Sequence, residues 1–176
     1  MPGSGQTLVA LGLMRALRQR NLRVQSFKCG PELADLRYHA LAADREPVSL
    51  DTWMGSRSHL QTVYNRYGEK ADVCVVEGRA GLFDGFRKTQ GSSAEMARLM
   101  KIPVVMVVSA RNAGYSTAAM LYGFKHFNTE LKNITVENNA AKLGQAVSLH
   151  LEGDHILVSL SLLLRASSCC NLACSN

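Results

Sequence analysis

Four acids and one lysine stand where this chain could do chemistry. Glu77 closes the run Val73-Cys74-Val75-Val76, which has no polar break and reads as a strand covered on both faces in a parallel sheet. Ligands of open parallel sheets collect beyond the carboxyl ends of the strands, so Glu77 is expected in the crevice where chemistry is done. Gly78, Gly81 and Gly85 follow, allowing tight turns or close approach to a ligand, and Asp84 lies among them. Lys28 follows a second strand-like stretch, Leu22–Phe27, which Gly30 and Pro31 break. Glu32 and Asp35 stand three apart, a spacing that predicts two carboxylates on one side of a helical turn. Carboxylates near phosphates usually hold Mg²⁺, through one or two acids plus phosphate and water. The plainer alternatives are a solvated glutamate ending a strand and acids that complement a helix dipole.

The amino-terminal heptapeptide, MPGSGQT, follows the later part of the phosphate-loop pattern G-x-x-x-x-G-K-[ST], with Gly5 and Thr7 in the last Gly and Ser/Thr places. The first Gly of the pattern and the strand that feeds it would fall before Met1. Gln6 stands in place of the Lys. Backbone N–H groups at a helix start still predict a cradle for phosphate oxygens, and the Thr7 hydroxyl is placed to meet Mg²⁺. Losing one preorganised group that stabilises transition-state charge costs about 3–4 kcal/mol, or about a hundredfold to a thousandfold in rate. A flexible Gly/Ser terminus is the competing reading.

The elements that must position these residues follow from periodicity. Leu8 to Arg20 has helical spacing, Ser58 to Tyr67 is loosely helical, and Ala94 to Met100 is a helix with Ser92 or Ser93 as N-cap. Pro103 to Val108 reads as a fully apolar strand, Ser116 to Lys125 as a helix, and Ile134 to Val136 as a short strand. Repeated strand, loop and helix units predict an α/β fold, a parallel β-sheet with helices on both faces. With 176 residues at 47% hydrophobic, the chain suits one sizeable core, with the organised part expected over 1–138 and a divergent tail over 139–176.

A formal charge of +6 favours anionic partners. Arg15, Arg18, Arg20 and Arg23 read as a solvated helix end, and no nucleic-acid-binding signature accompanies them. There is no secretory leader and no apolar run of about 18 residues, so no membrane role and a cytoplasmic location are expected. Cys29 and Cys74 lie in apolar surroundings as reduced thiols do, and Cys169, Cys170 and Cys174 lack the paired spacing of a zinc site.

Taken together, GSG-QT, VQSFKCGPELADLRYH, SLDTWM, ADVCVVEGRAGLFDG and QGSSAEMARLMKIPVVMVV resemble, in order and with few gaps from Gly3 to about Phe127, the amino-terminal synthetase domain of the cobyrinic acid a,c-diamide synthase family. The resemblance implies a phosphate-loop NTPase-like fold of dethiobiotin synthetase type. It also implies an ATP- and Mg²⁺-dependent amidoligase of cobalamin biosynthesis, which phosphorylates the a and c acetate side chains of a corrinoid so that glutamine-derived ammonia can displace the phosphate. By similarity, Gly3, Ser4, Gly5, Gln6 and Thr7 would hold ATP phosphates, Thr7 and Glu77 would hold Mg²⁺, and Lys28 would stand beside the transferred phosphoryl group. Glu32, Asp35 and Asp84 would belong to the metal or substrate side of the cleft, Asn138 would contact the base, and His39 would either bond substrate or serve the structure.

The departures from the family pattern are Gln6 for Lys, Glu32 for Asp, Leu33-Ala34 for a Tyr-Ile pair, and Arg79-Ala80 for a small or apolar pair. The family's glutaminase half is not in this sequence, so ammonia would come from a glutaminase domain or chain elsewhere, and a homodimer is compatible with the family. A missing first strand would leave its neighbours' backbone groups unpaired. These points suggest a truncated or degenerate member, and they keep open a non-catalytic remnant that binds nucleotide or a partner without turnover. A dethiobiotin synthetase or partitioning-type ATPase fits less well, because the former lacks the LFDG box and the latter's signature Lys would fall at Met1.

Overall fold

The computed structural model describes residues 5–79, 81–107, 115–128, 134–135 and 162–166. Gly3, Ser4, Asn138 and the three tail cysteines lie outside them. In chain order the elements are α1 (Gln6–Gln19), β1 (Val24–Cys29), α2 (Leu36–Ala43), β2 (Val48–Leu50), α3 (Arg57–Gly68), β3 (Val73–Glu77), α4 (Ser93–Met100), β4 (Val104–Val105), α5 (Ser116–His126), β5 (Ile134–Thr135) and β6 (Leu162–Ala166). The strands form one sheet in the order β2-β1-β3-β6-β4-β5.

β1 is buried along its whole length, because helices cover both faces of the sheet. Alternation along the strands assigns the faces. Val24 and Val75 pack with Ala10, Leu13 and Met14 of α1 and Ala43 of α2, whereas Phe27, Cys74 and Val76 pack with Leu60 and Tyr64 of α3 and Met96, Ala97 and Met100 of α4. β1 pairs in parallel with β2 and β3, and Lys28 stands opposite Glu77 across the ladder. That register brings the ammonium and the carboxylate to one end of the sheet.

α1 begins at Gln6, two residues before the expected Leu8, and Gly5 precedes it in the left-handed region at φ 75°. A side chain at Gly5 would meet open space, so its glycine answers to backbone conformation rather than crowding. Ser92 caps α4 by accepting a hydrogen bond from Glu95 N at 3.2 Å, as the sequence suggested. α2 starts only at Leu36, so Glu32 and Asp35 do not share a helical turn. They lie in the loop before the helix, with Asp35 at its N-cap position. The break at Gly30 and Pro31 delays helix formation, and the acids are paired by Lys28 instead of by helical spacing.

The slot between β3 and β4 is filled by β6, which runs antiparallel to both. The sequence left this slot unpaired and gave the tail no assignment. Strand edges in the middle of a sheet need hydrogen-bond partners, and an apolar run near the end of the chain supplies them. The sheet is therefore parallel over β2, β1 and β3 and mixed beyond. Among the described residues no helix is long and apolar enough to cross a membrane.

Candidate active site

The site begins with the strand ends. β1 delivers Lys28 and β3 delivers Glu77, whose side chains are 3% and 1% exposed. Lys28 Nζ lies 2.9 Å from Glu77 Oε1, 3.0 Å from Asp35 Oδ2 and 3.2 Å from Glu32 Oε2. Asp35 and Glu32 open the cluster to solvent, since their side chains are 29% and 49% exposed. Three carboxylates around one ammonium leave a surplus of negative charge.

The amino end of α1 closes the cluster from the other side. Thr7 Oγ1 donates to Glu77 Oε1 at 2.7 Å, and Gln6 Nε2 donates to the Gly78 carbonyl at 2.7 Å. His39, fully buried on α2, sits with Nε2 2.6 Å from Glu77 Oε2. Of the two roles open to it, this burial favours support of Glu77, with no face left for substrate. Its Nδ1 has no hydrogen-bond partner among the described residues.

These contacts set the charges. Burial pushes the Glu77 carboxyl up, but the His39 hydrogen bond, the Lys28 charge and the Thr7 hydroxyl outweigh it and hold the group below its ordinary value. Burial pushes the Lys28 ammonium down, but the Glu77 charge and hydrogen bond, with Asp35 and Glu32, hold it above its ordinary value. Both groups are therefore ionised near neutrality.

Asp84 is exposed and folds back over the turn at Gly81, where an added Cβ would fall 1.8 Å from its Oδ2. It is not among the groups that meet at Lys28. Ser93 fastens the start of the same loop by accepting a hydrogen bond from Arg79 N at 2.8 Å, and the Arg79 side chain lies over Gly30, where a Cβ would meet its Cδ at 2.6 Å. Sequence reasoning weighed Ser93 only as a helix cap and Arg79 only as a departure from pattern. The S-S-x-E spacing marked the helix start, but nothing in it pointed to Arg79. A hollow of about 280 Å³ lined by Gln25, Arg45, Glu46, Arg66, Tyr67 and Lys70 lies at the opposite, amino-terminal ends of β1 to β3, away from this chemistry.

The donor set is one of hard oxygens, from Thr7, Glu77, Asp35 and Glu32, beside the exposed N–H groups of a helix start. Among the described residues no three His, Cys, Asp or Glu side chains form a ready metal cage. Hard oxygen donors of this kind are the type Mg²⁺ takes, through one or two carboxylates plus water and phosphate oxygens.

Residues 2–160 match the CobQ/CobB/MinD/ParA nucleotide binding domain family. The chain belongs to that family. In this CobQ/CobB/MinD/ParA nucleotide binding domain Gly5, Gln6 and Thr7 lie at the start of α1. It is 39% identical over 132 residues to a cobyrinate a,c-diamide synthase of Listeria monocytogenes, covering 73% of this chain and 29% of that protein. It is 44% identical over 126 residues to a hydrogenobyrinate a,c-diamide synthase of Rhodobacter capsulatus, covering 69% of this chain and 29% of that protein. A cobyrinate a,c-diamide synthase of Gloeobacter violaceus is 36% identical over 155 residues, covering 82% of this chain and 34% of that protein. The chain thus spans about a third of the length of the curated relatives it matches. No solved structure matches it.

Proposed function

We propose that this chain is the nucleotide-binding part of an ATP- and Mg²⁺-dependent amidoligase that activates the a and c acetate side chains of a corrinoid polycarboxylic acid in cobalamin biosynthesis. The observation that carries the reading is the meeting of Lys28, Glu77 and Thr7 at the start of α1. The relatives' names supply the substrate class.

A carboxylate is a poor electrophile until one of its oxygens leaves as phosphate. The reaction moves the γ-phosphoryl group of ATP to a substrate carboxylate oxygen, giving ADP and an acyl phosphate. Ammonia then adds to the carbonyl carbon, the C–O bond to phosphate breaks, and the products are the amide, phosphate and a proton. Phosphoryl transfer rests chiefly on positioning and charge neutralisation. Gly3, Ser4, Gly5 and Gln6 would hold phosphate oxygens, and Thr7 and Glu77 would hold Mg²⁺, which would neutralise phosphate charge. Lys28 lies beside the transferred group and is kept protonated by its neighbours. Glu32, Asp35 and Asp84 serve the metal or substrate side, and Asn138 the base. Ammonia comes from a glutaminase domain or chain outside this sequence. The protein works in the cytoplasm, and assembly as a homodimer is compatible with this arrangement.

One observation favours a second reading, nucleotide or partner binding without turnover. Gln6 occupies the place of the phosphate-loop ammonium and spends its amide on the Gly78 carbonyl. Incubation with cobyrinic acid, ATP, Mg²⁺ and an ammonium salt separates the two. One ADP formed per amide, only when corrinoid is present, supports the ligase. Nucleotide binding with no ADP formed supports the second reading, and no nucleotide binding defeats the ligase and leaves only partner binding.

A further inference from the structure

The loops that leave the carboxyl ends of β1, β2 and β3 each hold a large apolar side chain out to solvent. Leu33 is 65% exposed, Trp53 74%, Met54 80% and Phe86 40%. Two of these loops touch: the Trp53 and Phe86 rings meet edge to face, with centroids 5.1 Å apart and planes at 83°. Because β1 lies between β2 and β3, this contact spans the strand whose loop carries Glu32 and Asp35.

The backbone beneath the pair is built. Asp51 Oδ1 accepts from Trp53 N at 2.9 Å, and Gly55 N closes a turn on Asp51 O at 3.0 Å. Phe86 sits in a tight hairpin in which Gly85 N reaches Lys88 O at 2.8 Å and Phe86 N reaches Gln90 O at 2.9 Å. Gly91 supports the ring, since a Cβ there would come within 2.4 Å of Phe86 Cδ1. The same hairpin exposes Arg87 and Lys88, neither with an ion-pair partner among the described residues.

Resting on the reading above, we propose that Trp53 and Phe86, flanked by Leu33 and Met54, form the platform on which the corrinoid macrocycle lies, with Arg87 and Lys88 holding carboxylates that are not being activated. A corrinoid is a rigid, largely apolar ring with carboxylates around its rim. It asks for aromatic surface and cations side by side, and this is where the chain offers both at the end of the sheet that carries Lys28 and Glu77.

Equilibrium dialysis of cobyrinic acid, followed by its own visible absorption, tests the assignment. The variants are Trp53→Ala, Phe86→Ala and the double Arg87→Gln with Lys88→Gln, with Mg-ATP binding as the check on folding. Each aromatic truncation is expected to weaken corrinoid binding about threefold to tenfold while Mg-ATP binding is unchanged. The double variant is expected to flatten the salt dependence of cobyrinic acid binding and to leave a fully amidated corrinoid unaffected. Cobyrinic acid bound equally by all variants would overturn the platform and leave the proposed function standing. No cobyrinic acid bound by a parent chain that binds Mg-ATP would overturn the platform and the corrinoid assignment together. A parent dimer that Trp53→Ala turns into a monomer, with corrinoid affinity unchanged, would give the face to a second copy and overturn the platform.

Discussion

Glu77 Oε2 lies 2.6 Å from His39 Nε2, and both side chains are sealed from solvent. The contact fixes one carboxylate oxygen on α2 and leaves Oε1 for Thr7 and Lys28. Glu77 is thus a positioned group rather than a strand end hanging in solvent.

His39→Ala is expected to cost about 1–3 kcal/mol, the penalty for leaving a buried acceptor short of a partner, read as a lower urea midpoint. Mg-ATP binding should weaken because Glu77 is no longer held in one orientation. Corrinoid affinity measured without nucleotide should not change, since His39 is wholly buried.

Lys28→Met strands the buried Glu77 charge and should cost about 3–5 kcal/mol, whereas Glu77→Gln should cost less, because Lys28 keeps Asp35 and Glu32. The double variant should be less destabilised than the sum of the two, which a double-mutant cycle by urea denaturation measures. The pH dependence follows from the directions of the two shifts. Glu77 is held below its ordinary 4.5, so its contribution is complete above 4.5 and is lost as pH falls through its lower folded value. Lys28 is held above its ordinary 10.5, so its contribution is complete below 10.5 and is lost as pH rises through its higher folded value. Glu77→Gln should remove this group's share of the acid loss of stability.

Gln6→Lys places an ammonium where the phosphate-loop pattern has one. The expected result is ADP formation about a hundredfold to a thousandfold faster, in steady-state assays with saturating Mg-ATP and corrinoid acid. The Gly78 carbonyl that accepts from Gln6 can accept from Lys as well, so stability should change little.

Burial pushes the Cys29 thiol up to about 12. Cys29 and Cys74 are both buried thiols outside any disulfide. Neither should react with iodoacetamide at pH 8 in the folded protein, and both should react once urea unfolds it, as read by peptide mass spectrometry.

Much of this was legible in sequence because the physics was local. The β-branched run ending at Glu77, the Ser92 cap and the amphipathic pattern of α1 each depend on neighbours within a turn or a strand. What escaped depended on contacts between distant residues. Glu32 and Asp35 stand three apart, a spacing that predicts helical neighbours, whereas Lys28 gathers them in a loop. The burial of His39 needs α2 docked on the sheet, and no spacing shows that. The grip of Ser93 on Arg79 N joins residues 14 apart across a glycine loop. β6 was hidden for the same reason, since an apolar run near the end of a chain does not say which strands it will pair with.

The central claim is that Glu77 holds the metal that accompanies ATP, and isothermal titration of ATP with and without Mg²⁺ tests it most directly. The parent chain should bind ATP at least about tenfold more tightly with Mg²⁺ than without, and a folded Glu77→Gln should lose that difference while keeping metal-free binding. An undiminished Mg²⁺ effect in folded Glu77→Gln would contradict the account.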